Sequence, residues 1–240
     1  MNLVKYKNVL VREGLGVDKD MVKQCLDNYK SFDNLEGAVV MDWGMNVGGF
    51  GAMMLDKPIK QYIGIECHPE NFEVAKANLG HDKRFTLINA AVTSLDLPCI
   101  DLWLTNSKQN FCSGTINLKS DAAKSMRKNR ISVPTIHVDE LMSRYAPTHL
   151  KCDIEGEEYR IFDYWNWFVP GHIQQLALEY HWADKILKYE TTIREEFLSQ
   201  DLTPIYERIN YVKGDTPWVF LGQDYSYRNI WGMDAFYKRT

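Results

Sequence analysis

Ala38-Val39-Val40-Met41-Asp42-Trp43-Gly44-Met45-Asn46-Val47-Gly48-Gly49-Phe50-Gly51-Ala52 is the stretch on which the rest of the chain is organised. A short apolar run, Ala38 to Met41, ends in an acid. A glycine-rich turn follows, then small and apolar residues. The pattern predicts a buried strand, a tight turn and the start of a helix. Glycines there let the backbone approach a ligand closely, with the first amides of the helix facing it. A nucleotide-like ligand is the natural occupant. In a dinucleotide-binding fingerprint the glycines run G-x-G-x-x-G. Here position 46 is Asn, and the spacing is Asp42-x-Gly44-x-x-x-Gly48. Taken alone, the stretch is equally an ordinary strand–turn–helix junction.

The chain around it has 240 residues, which fits one α/β domain with extensions and a sizeable core. We read residues 1–37 as an N-terminal arm and helix, and 93–136 as an insertion on the substrate side. Lys plus Arg is 28 and Asp plus Glu is 32, a net charge of −4. That balance argues against a broad nucleic-acid surface. The segment Lys119–Arg130 is the one basic cluster, read as a solvated helix or loop, or else as a lip over an anionic substrate. The five cysteines include no C-x-x-C pair, as expected of reduced thiols in a cytoplasmic protein. No signal peptide is read at Met1–Lys7, and no apolar run approaches the roughly 20 residues of a membrane span.

Taken in order, residues 1–12 read as a short strand or extended arm, and Val17–Phe32 as a helix covering the core or the ligand pocket. After the glycine turn, a helix runs to Leu55. Gln61–Glu66 is a second strand ending in an acid, one βαβ unit from Asp42, where a carboxylate can accept hydrogen bonds from both hydroxyls of a ribose. His68 either flanks an adenine or sits in an exposed loop. Pro69 opens the next helix. Phe85–Asn89 is the third strand, and Asn89 either meets the adenine edge or satisfies its own turn. In the insertion, Asp101–Thr105 is a strand, Gln109–Asn117 is polar, and Ile131–Ile136, with its internal Pro134, is an edge strand. Asp139–Tyr145 is a short helix. His149–Asp153 is a strand followed by a helix from about Glu157 to Trp167, whose aromatics pack the core. Ile173–His181 is the fifth strand and Ala183–Ser199 an amphipathic helix. Thr203–Tyr211 and Trp218–Gly222 form a closing hairpin, with the aromatic tail beyond Tyr225 packed back on the domain.

Five motifs resemble the FkbM family of S-adenosylmethionine (SAM) methyltransferases. Asp42-Trp43-Gly44-Met45-Asn46-Val47-Gly48 is similar to that family's D-x-G-A-N-x-G, with Trp43 and Met45 as departures within the turn. Glu66-Cys67-His68-Pro69-Glu70-Asn71-Phe72, with Asn78-Leu79 later, is similar to E-P-x-P-x-N-F and N-L, with Cys67 in place of Pro. Asn89-Ala90-Ala91-Val92 is the third motif. Leu150-Lys151-Cys152-Asp153-Ile154-Glu155-Gly156-Glu157-Glu158 resembles L-K-x-D-x-E-G-x-E and is the most diagnostic. Glu179-Tyr180-His181 resembles E-x-H. The resemblance covers about residues 38–182. It implies a class I methyltransferase fold, an α/β Rossmann-like, seven-stranded, mostly parallel sheet with an antiparallel terminal strand. It also implies SAM as cofactor, held by Asp42, Gly44, Asn46, Gly48, Glu66 and Asn89, and a small-molecule or glycan hydroxyl as methyl acceptor.

The chemistry narrows the catalytic candidates. Methyl transfer from a sulfonium needs the acceptor oxygen aligned behind the methyl, and an alcohol must lose its proton to a base. Ligands of open α/β sheets bind at the carboxyl ends of the strands. Asp153, Glu155 and His181 stand there and flank the acceptor, with His181 as the base from its ordinary pKa near ~6.5. A rival role for the acids is Mg²⁺ binding by Asp139, Asp153 and Glu179. Glu155 is alternatively a helix-start acid, and Lys151 a strand residue paired with a carboxylate. Four other functions compete: a methyltransferase-fold binding module without catalysis, methylation of a nitrogen or peptide acceptor, methylation of a nucleic acid, against which the acidic balance weighs, and a nicotinamide oxidoreductase. Asn46 and the closing hairpin disfavour the last.

Overall fold

The structure, a computed structural model, describes residues 1–28, 32–104, 129–181, 196–211 and 230–239. Strands β3 (Val39–Trp43), β4 (Gln61–Ile65), β5 (Phe85–Ile88), β9 (His149–Cys152), β10 (Gln175–His181), β11 (Leu202–Tyr211) and β12 (Ile230–Arg239) form one sheet in the order β11-β12-β10-β9-β3-β4-β5. β3, β4, β5, β9 and β10 are parallel. β12 runs antiparallel to both β10 and β11. This is the seven-stranded sheet that the family resemblance implies. Every residue of β3 is buried, as expected of a central parallel strand covered on both faces. From β3 the chain winds outward to β4 and β5, then returns to β9 on the other side. The crevice between the carboxyl ends of β3 and β9 is therefore the switch point at which such sheets bind ligands.

Helices fill both faces. Phe50 and Met54 of α2 (Gly49–Met54) and Ala75 and Leu79 of α3 (Pro69–Leu79) join Val40 and Tyr62 in one core cluster. Leu141 of α4 (Val138–Tyr145) and Tyr159, Ile161 and Phe162 of α5 (Glu158–Tyr164) join Met41, Trp43 and Leu150 in the other. Burying each such large apolar side chain stabilises the fold by roughly 1.5–3 kcal/mol.

The N-terminal arm is a hairpin, β1 (Leu3–Tyr6) paired antiparallel with β2 (Val9–Arg12), followed by α1 (Gly16–Asn28). It is tied down by side chains. Asn78 accepts from the Leu10 N–H at 2.7 Å and donates to the carbonyls of Leu10 and Val47 at 2.9 and 2.8 Å. Arg12 grips Asp18 through two nitrogens and donates to Asn71 at 2.8 Å. The two asparagines of the second motif thus lock the hairpin and the glycine turn together.

The insertion forms a separate three-stranded sheet, β6 (Ala91–Thr93), β8 (Asn129–His137) and β7 (Cys99–Leu104), in the order β6-β8-β7. Pro134 predicts an edge position for β8, yet it is the middle strand. Pro134 sits where the pairing changes sides. The ladder with β7 ends at Cys99↔Pro134 and the ladder with β6 begins at Ala91↔Thr135. The missing N–H therefore falls between two partners rather than inside one ladder.

The closing pair also differs from expectation. The partner of β11 is β12, the aromatic tail itself, rather than Trp218–Gly222. Residues 218–222, the polar segment 109–117, most of the basic cluster and most of the 183–199 helix lie outside the described residues. Within the cluster's described part, Arg130 is paired with Asp101 at 2.6 Å on the surface. Among the described residues no helix is long and apolar enough to cross a membrane.

Candidate active site

The glycine turn is held open by its own backbone. The N–H groups of Gly44 and Met45 both donate to the Ile65 carbonyl at 3.0 Å, anchoring the turn to the end of β4. Gly44 has φ +79°, and a Cβ there would lie 1.9 Å from the Asp153 carbonyl oxygen. Only glycine lets the turn pass this close to the residue that follows β9. Gly48 has φ +87°, and a Cβ on it would lie 3.0 Å from Leu79 Cδ1. Asn46 adopts φ +51°, a conformation asparagine tolerates, and its Oδ1 accepts from the Val47 N–H at 2.7 Å.

Glu66 lies directly after β4 and is almost fully buried. Its Oε2 accepts from the Asn46 N–H at 2.9 Å and its Oε1 from the His68 N–H at 2.8 Å. Burial, only partly opposed by these two amides, pushes the carboxyl up to about 7. Oε2 keeps a second lone pair for a ligand hydroxyl, and Oε1 meets besides His68 only the Cys67 thiol at 4.0 Å, a weak donor that a hydroxyl can displace. His68, read from sequence as either an adenine neighbour or an exposed loop residue, is buried and caps α3, its Nδ1 accepting from the Glu70 N–H at 3.3 Å. The Asn89 amide nitrogen donates to the carbonyls of Glu66 and Cys67 at 2.7 and 3.3 Å. Asn89 therefore braces the neighbouring β4–α3 turn behind Glu66 rather than its own turn.

Asp42 is wholly buried and serves the scaffold. Tyr62 donates its hydroxyl to Asp42 Oδ2 at 2.6 Å, and Lys151 Nζ lies 3.1 Å from Oδ1. Burial raises the Asp42 carboxyl, and Lys151 and Tyr62 oppose that rise. Lys151 also reaches the Gly44 carbonyl at 3.1 Å and Asp153 Oδ2 at 3.4 Å. Burial alone would lower the Lys151 ammonium, but Asp42 and Asp153 more than reverse this and hold it charged.

A pocket opens beside this network, lined by Gly44, Asn46, Val47, Lys151 and Asp153, and on its far wall by Met21, Gln24 and Cys25 of α1. Those three residues do not stand out in the sequence. The signal available is only that an amphipathic helix precedes β3.

The second cluster surrounds His181. Its Nε2 lies 3.5 Å from Glu155, 3.7 Å from Glu179 and 3.8 Å from Asp153. Its Nδ1 lies 3.0 Å from Glu158 Oε1, which also accepts the His181 backbone N–H at 3.1 Å. Glu158 Oε2 accepts from the Gly156 N–H at 2.8 Å. β9 and β10 pair Cys152 with Leu178, so Asp153 and Glu179 emerge side by side. Gly156 at φ +101° and Glu155 at φ +56° turn the chain so that Glu155 faces the same ring. Burial raises the partly exposed Glu155 carboxyl to about 7, with His181 opposing and Asp153 adding to the rise.

The structure thus brings Asp153, Glu155 and His181 together, as expected, but changes the part His181 plays. Burial would lower its imidazole, yet Glu155, Glu158 and Glu179 outweigh burial and hold it well above the ordinary value. The ring is a cation among acids, so the base is sought among the carboxylates. Glu158, the last residue of the fourth motif but not among the site candidates read from it, orients the ring. Asp139, expected among Mg²⁺ ligands, is elsewhere, accepting from Tyr164 Oη at 2.6 Å and Trp165 Nε1 at 3.3 Å.

The family model described as Methyltransferase FkbM domain matches residues 42–197. Among curated proteins none matches the sequence. Two solved structures illustrate the structural likeness. TYW2 of M. jannaschii in complex with AdoMet superposes with a TM-score of 0.48 at 13% identity, covering 99% of this chain and 86% of that one. The precorrin-6y C5,15-methyltransferase of Geobacter metallireducens GS-15 gives 0.48 at 10% identity, covering 98% and 100%.

Proposed function

The chain belongs to the FkbM family of SAM-dependent methyltransferases, and on that premise we propose that it methylates a hydroxyl of a sugar, glycan or other small molecule. The observation that carries this reading is Asp153. Its side chain lines the pocket formed by the glycine turn and also stands 3.8 Å from His181 in the acid cluster. One residue thereby joins a donor pocket to a group of carboxylates able to take a proton.

The glycine turn and Lys151 of the pocket, with Glu66 just after β4, suit SAM. Gly44 leaves no room for a side chain between the turn and Asp153. Glu66 is fixed by two amides with lone pairs left for ribose hydroxyls. Lys151 is turned onto Asp42 and Asp153, so its charge does not oppose a sulfonium. Bound there, SAM supplies a methyl group whose C–S electron pair returns to sulfur as the methyl leaves. The chain's own residues do the rest. Gly44, Asn46 and Glu66 fix the donor, α1 closes the pocket wall, and Asp153 and Glu155 face the acceptor. The hydroxyl proton passes to Glu155, whose raised carboxyl is suited to accept it near neutral pH. The positive His181 ring between the acids holds them in place.

The test is incubation with methyl-labelled SAM and a panel of free sugars, glycans and small alcohols, reading S-adenosylhomocysteine and the labelled product. Label on oxygen supports the proposal. Label only on nitrogen or peptide acceptors would overturn it in favour of that alternative. Tight SAM binding without turnover on any acceptor would leave the chain a binding module.

A further inference from the structure

Beyond the donor pocket, which Asp153 borders, the titratable groups around His181 make the most unusual arrangement. Among the described residues, Asp153, Glu179 and His181 each offer one ligand atom, and these atoms all lie within 4.8 Å of one another; Glu179 and His181 are buried. We propose that these three side chains hold a divalent transition-metal ion of the Mn²⁺ or Zn²⁺ class, and that the acceptor hydroxyl coordinates it.

Three independent features point there. The first is spacing. A cation about 2.0–2.2 Å from each nitrogen or oxygen ligand places those atoms about 3–4 Å apart. The His181 Nε2 separations of 3.8 Å from Asp153 and 3.7 Å from Glu179 lie in that range. The second is the orientation of the imidazole. Its Nδ1 sits 3.0 Å from Glu158 Oε1. A carboxylate only accepts, so Nδ1 carries a hydrogen and Nε2 is the atom turned into the acids; a divalent ion bound there takes the place of the ring's second proton, which leaves to solvent. A carboxylate fixing the far nitrogen is the usual support of a metal-ligating histidine. Glu158 is itself fixed by the N–H groups of His181 and Gly156. The third is charge. Asp153, Glu155, Glu158 and Glu179 converge on one ring, and Lys151 divides its charge between Asp153 and Asp42. Two of the four, Glu158 and Glu179, are buried, and a divalent ion in place of the ring's second proton adds one positive charge to the set that they share. An imidazole in the set favours a transition metal over Mg²⁺.

The proposal rests on the hydroxyl-methylation reading and deepens it. A hydroxyl bound to the cation loses its proton more readily. That proton goes to the Glu155 carboxylate, which lies outside the ligand set, and the oxygen lone pair left behind forms the new O–C bond.

The experiment titrates Mn²⁺ into chelator-stripped protein loaded with S-adenosylhomocysteine. It follows the free-ion signal by electron paramagnetic resonance, with Zn²⁺ and Mg²⁺ as competitors. One site per chain is expected, with Zn²⁺ displacing Mn²⁺ and Mg²⁺ a weak competitor. Glu179→Gln and Asp153→Asn should each weaken Mn²⁺ binding by at least about tenfold, and Asp139→Asn should leave it unchanged. Thermal unfolding confirms that each variant is folded, and the partly exposed Asp153 provides a readout if Glu179→Gln does not fold. Absence of a wild-type Mn²⁺ or Zn²⁺ site, or a site indifferent to both substitutions, would overturn the proposal. Full transfer to a hydroxyl acceptor after chelation would overturn it while leaving the function standing. A bound metal without hydroxyl methylation would do the reverse, retaining the site and removing the role.

Discussion

Lys151 Nζ lies 3.1 Å from Asp42 Oδ1, with both side chains out of contact with solvent. The pair joins β9 to β3 across the switch point, and through the Gly44 carbonyl it also fixes the glycine turn. Removing one partner of a buried pair strands the other charge, at a cost of about 3–5 kcal/mol. Lys151→Met should therefore destabilise the protein by about that amount in urea unfolding. The double variant with Asp42→Asn should recover part of the loss, because the stranded carboxylate is gone. A loss in Lys151→Met well under ~1 kcal/mol would show that the pair is not what holds the two strand ends together.

Gly44→Ala puts a methyl 1.9 Å from a backbone carbonyl on residue 153, and backbone cannot retreat as a flexible side chain can. The φ of +79° adds about 1 kcal/mol or more of strain. The expected result is a drop of roughly tenfold or more in S-adenosylhomocysteine affinity by calorimetry, since about 1.4 kcal/mol is a factor of ten. Gly37→Ala, also at positive φ but with nothing within 4 Å of a Cβ, is the matched control and should bind normally.

Glu66 gives a pH dependence with a defined sign. Its carboxyl is raised from an ordinary 4.5 to about 7 in the folded chain. Between those values the folded state holds a proton that the unfolded state has lost. Its contribution to stability is fully present below about 4.5 and disappears as pH rises through about 7. Ribose hydroxyls donate to the ionised form, so binding favours loss of that proton. S-adenosylhomocysteine affinity should rise by up to about tenfold per pH unit below about 7 and level off above it. Calorimetry at about pH 6 in buffers of different ionisation enthalpy should detect close to one proton released. Glu66→Gln should bind more weakly and lose both effects; proton release that persists in this variant would assign it elsewhere.

Much of this was legible in the sequence, for physical reasons. The all-buried β3 and the acid at its end announce themselves as an apolar run meeting a glycine turn. Glu66 follows because a βαβ unit has a narrow range of lengths. The role of Asn78 was less accessible. Its three hydrogen bonds, to both backbone groups of Leu10 and to Val47, depend on a hairpin far away in sequence. Pro134 misled because a missing N–H is excluded from a ladder but permitted where one ladder hands over to another. His181 misled because an isolated pKa says nothing about the carboxylates that surround the ring once β9 and β10 are aligned. The tail is read from sequence as packed on the domain rather than as the partner of β11, because alternation alone does not say which of two later segments makes that pairing.

Asn78 supplies a stability prediction of its own. Asn78→Ala leaves the N–H and C=O of Leu10 and the carbonyl of Val47 without their side-chain partner. The Val47 carbonyl is buried and the Leu10 groups partly so; a buried group so stranded costs about 1–3 kcal/mol, and a partly buried one less. Hydrogen exchange should therefore show Leu10 and its β1–β2 neighbours opening far faster, with β3 protected as before. Uniform acceleration across β3 would mean that the hairpin and the core unfold as one unit.

Glu158 acts through His181 rather than on any ligand. Its Oε1 takes both the ring Nδ1–H and the backbone N–H of that residue, and its other oxygen is occupied by Gly156. Glu158→Gln keeps the volume and one acceptor oxygen but removes the negative charge that fixes the ring. A loss in kcat of about 10–100-fold is expected from loosening such support, with S-adenosylhomocysteine affinity within about twofold of wild type, because Glu158 does not line the donor pocket. The discriminating readout is the ring itself. In ¹⁵N-histidine-labelled protein the His181 Nδ1–H resonance should be slowly exchanging in wild type and broadened or shifted in the variant. Glu158→Asp, which restores the charge one methylene short, should recover part of the signal and of the rate together. A variant that loses rate while the Nδ1–H signal is unchanged would show that Glu158 works through packing around Gly156 instead of through the histidine.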